Sequence, residues 1–142
     1  MPDSQDIDTA LLTKLSGDAT LLALLPNGVW FDEAPPGSKR FVVVSLVDEN
    51  DEQRFGARAA EDARYLVKAV MLTTASPTAN ADIKAAAARI DVLLDNQTLT
   101  ATGYASMLVE RESRIRLTEV DDVDPTVRWY HRGGQYRVVM ST

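Results

Sequence analysis

Apolar positions along this chain change their period several times, and each change predicts an element. Ile7, Leu11, Leu12 and Leu15 recur at the spacing of one helical face. Ser4 or Asp3 can cap that first helix with a side-chain oxygen, and Gly17 can end it by tolerating a left-handed conformation. A second, short helix follows, with Asp18 or Thr20 as cap and Leu21, Leu22, Leu24 and Leu25 as its buried part. Pro26 breaks it and Asn27-Gly28 turns the chain. Residues 29–31 (VWF) read as a short strand. Residues 32–39 (DEAPPGSK) read as a loop, since two prolines, a glycine and a serine cannot continue a ladder. Residues 41–47 are apolar on both faces and predict a central strand. The acidic, polar segment 48–61 is expected to be a long turn or a flexible arm.

Residues 64–74 (RYLVKAVMLTT) form the next strand. A long helix is predicted from Pro77 to about Asp95, burying Ile83, Ala87, Ile90, Leu93 and Leu94, and Asn96 ends it. Residues 99–105 read as a linker, and 106–120 as the longest strand candidate. From Glu110 that strand alternates imperfectly, with Arg111, Ser113, Ile115 and Leu117 set against Glu110, Glu112, Arg114 and Arg116. An acidic turn (121–125, DDVDP) precedes two strand pieces, 127–131 and 135–140, separated by Arg132-Gly133-Gly134. The Gly-Gly step fits a hairpin turn and a bulge in one long strand equally well. Short connections between successive strands favour antiparallel pairing. The fold class predicted is α+β: a two-layer sandwich with a mainly antiparallel sheet of about four to five strands, and one long helix plus short N-terminal helices on one face.

At 142 residues the chain fits one domain, 1–142, carrying the arm at about 48–61. It has no cysteine, which removes disulfides, thiolate metal sites and cysteine nucleophiles, and one histidine, which removes mechanisms needing two imidazoles. A net charge of −6 argues against a general nucleic-acid-coating role, because phosphate binding needs basic surface. Met1 to Asp8 carry three aspartates and no Lys or Arg, unlike a signal peptide. No apolar run approaches the ~20 residues of a spanning helix, so no membrane partner is expected.

A search for reactive groups finds no candidate catalytic, cofactor or metal residues. His131 lies in a strand beside Trp129, Tyr130 and Arg132, with no local nucleophile for it to activate. The pairs Asp32-Glu33, Asp48-Glu49, Asp51-Glu52, Glu61-Asp62 and Asp121-Asp122 sit in or beside predicted loops, without the spacing of a calcium loop. Solvated loop charge is the simpler reading. Gly37-Ser38-Lys39 precedes a strand rather than a helix, and Gly133-Gly134 lacks the lysine of a phosphate loop. An acid dyad such as Glu110 with Asp62 has no support in spacing, and no enzyme activity is expected. Two features remain: the charged strip 111–116 (RESRIR) and the aromatic-basic stretch 128–137 (RWYHRGGQYR). Both are ordinary strand material, and both carry residue types enriched at interfaces.

Four stretches together resemble the tail-terminator, or tail-completion, proteins of long-tailed bacteriophages and phage-like particles. Residues 21–33 (LLALLPNGVWFDE) resemble that family's leucine-rich short helix, glycine turn and aromatic strand. Residues 34–46 (APPGSKRFVVVSL) resemble its Pro/Gly loop entering the first long strand, and 111–120 (RESRIRLTEV) with 130–139 (YHRGGQYRVV) its last two strands. The resemblance implies a virion structural protein of the tail or neck, made in the host bacterial cytoplasm. It implies a ring, usually of six copies, that caps the head-proximal end of the tail tube, stops its growth and joins it to the head connector. The implied partners are other copies of the chain, the tail tube protein and the connector or stopper protein, with DNA passing through the lumen unbound. It brings no cofactor. A head-completion or stopper protein, or a generic protein-binding adaptor, are the alternatives. A ring needs two different patches that meet head to tail. The arm, with Asp51, Glu52 and Arg54, and the strip of Arg111, Arg114 and Arg116 are the expected pair, with Trp129, His131 and Arg132 as further interface residues.

Overall fold

The computed structural model describes residues 4–54, 57–74 and 77–141, and gives side-chain surroundings outside 4–5, 51–61 and 74–80. The helices are α1 (Ser4–Ser16), α2 (Ala19–Leu24) and α3 (Pro77–Leu94). The strands are β1 (Val29–Phe31), β2 (Arg40–Arg54), β3 (Ala57–Thr74), β4 (Gln97–Leu99), β5 (Ser106–Val120) and β6 (Val127–Ser141). Among the described residues these make one six-stranded sheet in the order β1-β2-β3-β6-β5-β4. That is more than the four to five strands expected. The extra strand is the short β4, which lies between the Asn96 helix stop and the linker expected at 99–105 and meets that linker only at Leu99. The segment 48–61, expected to be a turn or flexible arm, is instead strand backbone at 48–54 and 57–61, paired from Asp48↔Arg64 to Arg54↔Ala57. Polar residues can pair there because the ladder is made by the backbone and an antiparallel sheet can turn one face to water.

The pairing is antiparallel except between β1 and β2. Parallel neighbours require the chain to return to its starting end. The loop 32–39 makes that return, beginning at Asp32 with φ 62° and laying Ala34 against Phe41, Val43 and Val70. Among the described residues, no helix is long and apolar enough to cross a membrane.

All three helices lie against one face of the sheet, with the main core between the layers. Alternate residues of the long strands, including Val42 and Val44, Val67 and Met71, and Val138 and Met140, point into it. From α3 the core takes Ile83, Ala86, Ile90, Leu93 and Leu94, so Ala86 rather than Ala87 is buried. Two fully buried tyrosines, Tyr65 and Tyr136, are register partners on β3 and β6 and bolt this face to different helices. The Tyr65 hydroxyl donates to Asp8 on α1 at 2.6 Å, and that of Tyr136 donates to Asp91 on α3. Burial, with a carboxylate as partner, pushes both phenols well above their ordinary range.

Local caps agree with the sequence in part. Asp18 caps α2, accepting from the Leu21 N–H at 2.9 Å, and its carboxylate also takes two hydrogen bonds from Arg89 of α3 at 2.6 and 2.8 Å. The guanidinium holds the Asp18 carboxyl down to about 2. Asn96 ends α3 in the left-handed region at φ 57°. Gly17 closes α1 by donating to Thr13 O at 3.0 Å and needs no positive φ to do so. The Gly133-Gly134 step resolves as part of one uninterrupted strand. The irregularity falls on β5, opposite the Gln135–Tyr136 step that follows the glycines, where the register shifts between Arg111 and Ser113.

Candidate interaction surfaces

The two sheet margins are the first surface. β1 pairs with β2 only up to Phe31↔Val44, and β4 pairs with β5 only up to Gln97↔Val109. From Ser45 onward β2 is an edge strand, and from Glu110 onward so is β5. Leu46 and Val47 on the first edge, and Leu117 and Val120 on the second, are large apolar residues left exposed. Unpaired, partly apolar edges invite pairing with another chain. The acidic residues 48–52 and the basic residues 111–116, singled out in the sequence, therefore lie toward opposite margins of one sheet.

The bulge on β5 decides which way its arginines face. An extra residue reverses the alternation that follows it. Arg111 pairs with Tyr136, Arg114 with Gly134 and Arg116 with Arg132, all on the helix-bearing face. Arg111 is then consumed inside the molecule: its guanidinium reaches Asp91 at 2.8 Å and its N–H donates to Asp95 at 2.9 Å. Arg114 reaches the same Asp91 at 3.6 Å and stays largely exposed. Arg116 and Arg132, with Lys84 of α3, line a groove of about 560 Å³ between α3 and the β5–β6 pair. Lys84 carried no signal in the sequence, because only the packing of α3 beside β5 brings it to the arginines.

The opposite face carries no helix among the described residues. One end of it is a charge ladder. Arg137 grips Asp62 with three hydrogen bonds of 2.9–3.2 Å, and its guanidinium holds that carboxyl below the usual carboxylate range. Arg64 extends the ladder to Glu112 at 3.0 Å and Asp48 at 3.6 Å. Asp62 is thus bound to arginine rather than placed beside Glu110 as an acid dyad.

The other end of that face is an apolar groove of about 340 Å³ lined by Phe41, Val43, Val70, Trp129, Lys68 and His131. Trp129 meets Phe41 edge-on with ring centroids 6.3 Å apart, and its indole N–H donates to Asp121 at 2.9 Å. The same carboxylate accepts from the N–H groups of Asp124 and Val123, which tie down the 121–125 turn; the Asp124 N–H, then the Trp129 indole and the Val123 N–H, hold it below the usual range. The acidic turn is built around its own backbone. The side chains of Asp51, Glu52 and Arg54 lie outside the described residues.

Both ring nitrogens of His131 are buried without a hydrogen-bond partner among the described residues, the nearest carboxylate oxygen, on Glu119, being 3.8 Å away. Burial, and then the Lys68 ammonium, push this imidazole below its ordinary range, against a smaller opposing pull from Glu119. The folded state therefore binds the proton more weakly than the unfolded chain. His131 contributes stability that is complete above the unfolded value of ~6.5 and is lost as pH falls toward the lower folded value. Thermal melts of the wild type and His131→Leu between about pH 7.5 and pH 5 check this, since the wild type should lose ground to the variant on acidification. Parallel pH profiles for the two would contradict the assignment.

No family model and no curated protein matches the chain. Solved structures do. A chain from a structure described as the virion of a native gene transfer agent (GTA) particle superposes with a TM-score of 0.61 at 21% identity, over 98% of this chain and 97% of that one. A second solved chain superposes with a TM-score of 0.60 at 15% identity, over 97% and 96% of the two chains. This protein therefore shares its whole fold, from α1 to β6, with a chain of a virion particle.

Proposed function

We propose that this protein is a structural subunit of a phage-like particle and acts as a tail terminator. Copies close into a ring on the head-proximal end of the tail tube, halt its growth and present a surface to the head connector. The observation that carries the reading is the end-to-end fold match to a chain from a gene transfer agent virion. The sheet suits the role. A ring needs a heterologous interface, and the two free edges differ in sequence and in charge. Asp18, Asp62, Asp121 and Asp124 are each engaged in holding the fold, which agrees with a protein that works through its surface rather than through a reactive group.

The experiment is assembly. Sedimentation and electron microscopy of the purified chain, alone and with preformed tail tubes, should reveal rings that cap one tube end and prevent elongation. A chain that stays monomeric and never binds a tube would overturn the reading, as would turnover of a small molecule accompanied by a ligand-induced rise in melting temperature.

A further inference from the structure

The edge of β5 beyond its bulge is open. β4 covers this strand only as far as Val109, and the Arg111 N–H is taken by Asp95. From Ser113 to Val120, no backbone hydrogen bond among the described residues reaches the strand from outside its ladder with β6. Alternate residues of such an outer strand turn their N–H and C=O groups away from the neighbouring strand. The side chains beside this edge are sorted by face. On the helix-bearing side stand Arg114 and Arg116, with Arg132 the register partner of Arg116 and Lys84 across the groove on α3. On the other side stand Ile115 and Leu117, register partners of Gly133 and His131, and Leu117 is half exposed. Like charges directly opposite one another in an antiparallel pair are destabilising. None of Lys84, Arg116 and Arg132 has an ion pair among the described residues. The carboxylate lining this groove, Asp91, is already shared by Tyr136, Arg111 and Arg114. The exposed α3 residues beside Lys84 in the groove are small, Ala81 and Ala88, which leaves width for side chains to enter. Three uncompensated cations thus stand along an unpaired strand edge, on a protein of net charge −6.

We propose that the open edge of β5 takes up an extended segment of a different protein as an added strand. Its acidic side chains face Arg114, Arg116, Lys84 and Arg132, and its apolar side chains lie beside Ile115 and Leu117. Main-chain hydrogen bonds to the edge give such a strand its hold, and the alternation of acidic with apolar residues sets its face and register. Arginine's planar fork suits carboxylates spaced along a strand. The proposal goes beyond the ring reading and holds for a single free copy. A second copy is a poor source of the strand, because Asp48, Asp62 and Glu112, acids on its own strands, are held by Arg64 and Arg137. A long polyanion such as DNA fits less well than a short acidic strand. Lying along β5 it would run onto Glu119, Asp121, Asp122 and Asp124.

Labelled peptides followed by fluorescence anisotropy test the edge. The probe is a capped octapeptide of alternating glutamate and valine, and it should bind the wild type less tightly as salt is added. Lys84→Glu with Arg116→Glu should weaken that binding by about tenfold or more, and should instead take up the same peptide with lysine in place of glutamate. Both side chains are exposed, so the variant should keep the wild-type circular dichroism. Lys84→Gln with Arg116→Gln serves if it does not, and should also bind the probe more weakly. Two N-methylated probes test the strand itself. An added strand turns only alternate N–H groups to the edge, so methylation of one set of nitrogens, glutamate or valine, should abolish binding while the other set is tolerated. A probe that does not bind, or equal binding of the two methylated probes, overturns the proposal. So does a reversed variant that binds the acidic probe like the wild type. Duplex DNA that binds the wild type more tightly than the probe, and is lost in the variant, assigns the groove to nucleic acid instead. A probe that disperses wild-type rings into monomers makes this edge the subunit contact, which overturns its assignment to a different protein and leaves the ring reading standing. A chain that stays monomeric with and without tail tubes, yet binds the probe as described, overturns the ring reading and supports this proposal.

Discussion

Gly133→Ala is expected to lower the stability of the fold by about 3 kcal/mol, at the upper end of what overpacking costs. A Cβ on Gly133 would lie 2.1 Å from the carbonyl oxygen of Val67 and 2.5 Å from the Cα of Lys68. Both are backbone atoms of β3, paired with β6 at this register, and β3 is held on its other side by β2. Neither strand can retreat without giving up ladder hydrogen bonds. Gly37→Ala is the control. Open space surrounds that position, and its φ of +85° leaves only backbone strain of about 1 kcal/mol. Chemical denaturation of the two variants against the wild type measures both. A loss at Gly133 no larger than that at Gly37 would mean that β3 and β6 do not approach this closely.

Close approach at Gly133 also explains why the sequence left this region open. A Gly-Gly step between two β-patterned pieces is compatible with a turn and with a strand pressed against its neighbours. Local pattern cannot separate them, because the deciding atoms are Val67 O and Ser113 O, on two other strands. The arginines of β5 show the same dependence. Read by strict alternation, Arg111 falls on the face opposite Arg114 and Arg116. The shift between Arg111 and Ser113 puts all three on one face, and the pull of Asp91 and Asp95 then takes Arg111 out of the surface. Elements fixed by their own residues were legible: α2 with Asp18 as one of its two candidate caps, the helix stop at Asn96, and β5 from Ser106 to Val120. Features fixed by a distant neighbour were not, among them the parallel β1, the three-residue β4, the Arg137–Asp62 grip and the place of Lys84 beside Arg116. The acidic and basic surfaces were visible as composition, but only the strand order shows them to occupy opposite margins of the same sheet.

Asp91 ties the buried Tyr136 to the arginines of β5, so its loss should be felt in the stability of the fold. Its carboxylate accepts the hydroxyl of Tyr136, a residue with 0% exposure, and the Arg111 guanidinium at 2.8 Å. Asp91→Ala leaves that phenol buried with no acceptor, which costs about 1–3 kcal/mol by itself. Loss of the charge-assisted bond to Arg111 adds roughly another 1 kcal/mol, while alanine's better helix propensity returns about 0.5 kcal/mol. A net loss of about 3 kcal/mol is expected. Tyr136→Phe should cost only about 1 kcal/mol, because it removes the orphan donor along with the bond. In the double variant no phenol is left stranded, so its loss should fall short of the sum of the singles by about 1 kcal/mol or more. Denaturation of all four proteins closes the cycle, and simple additivity would show that Tyr136 and Asp91 do not depend on each other.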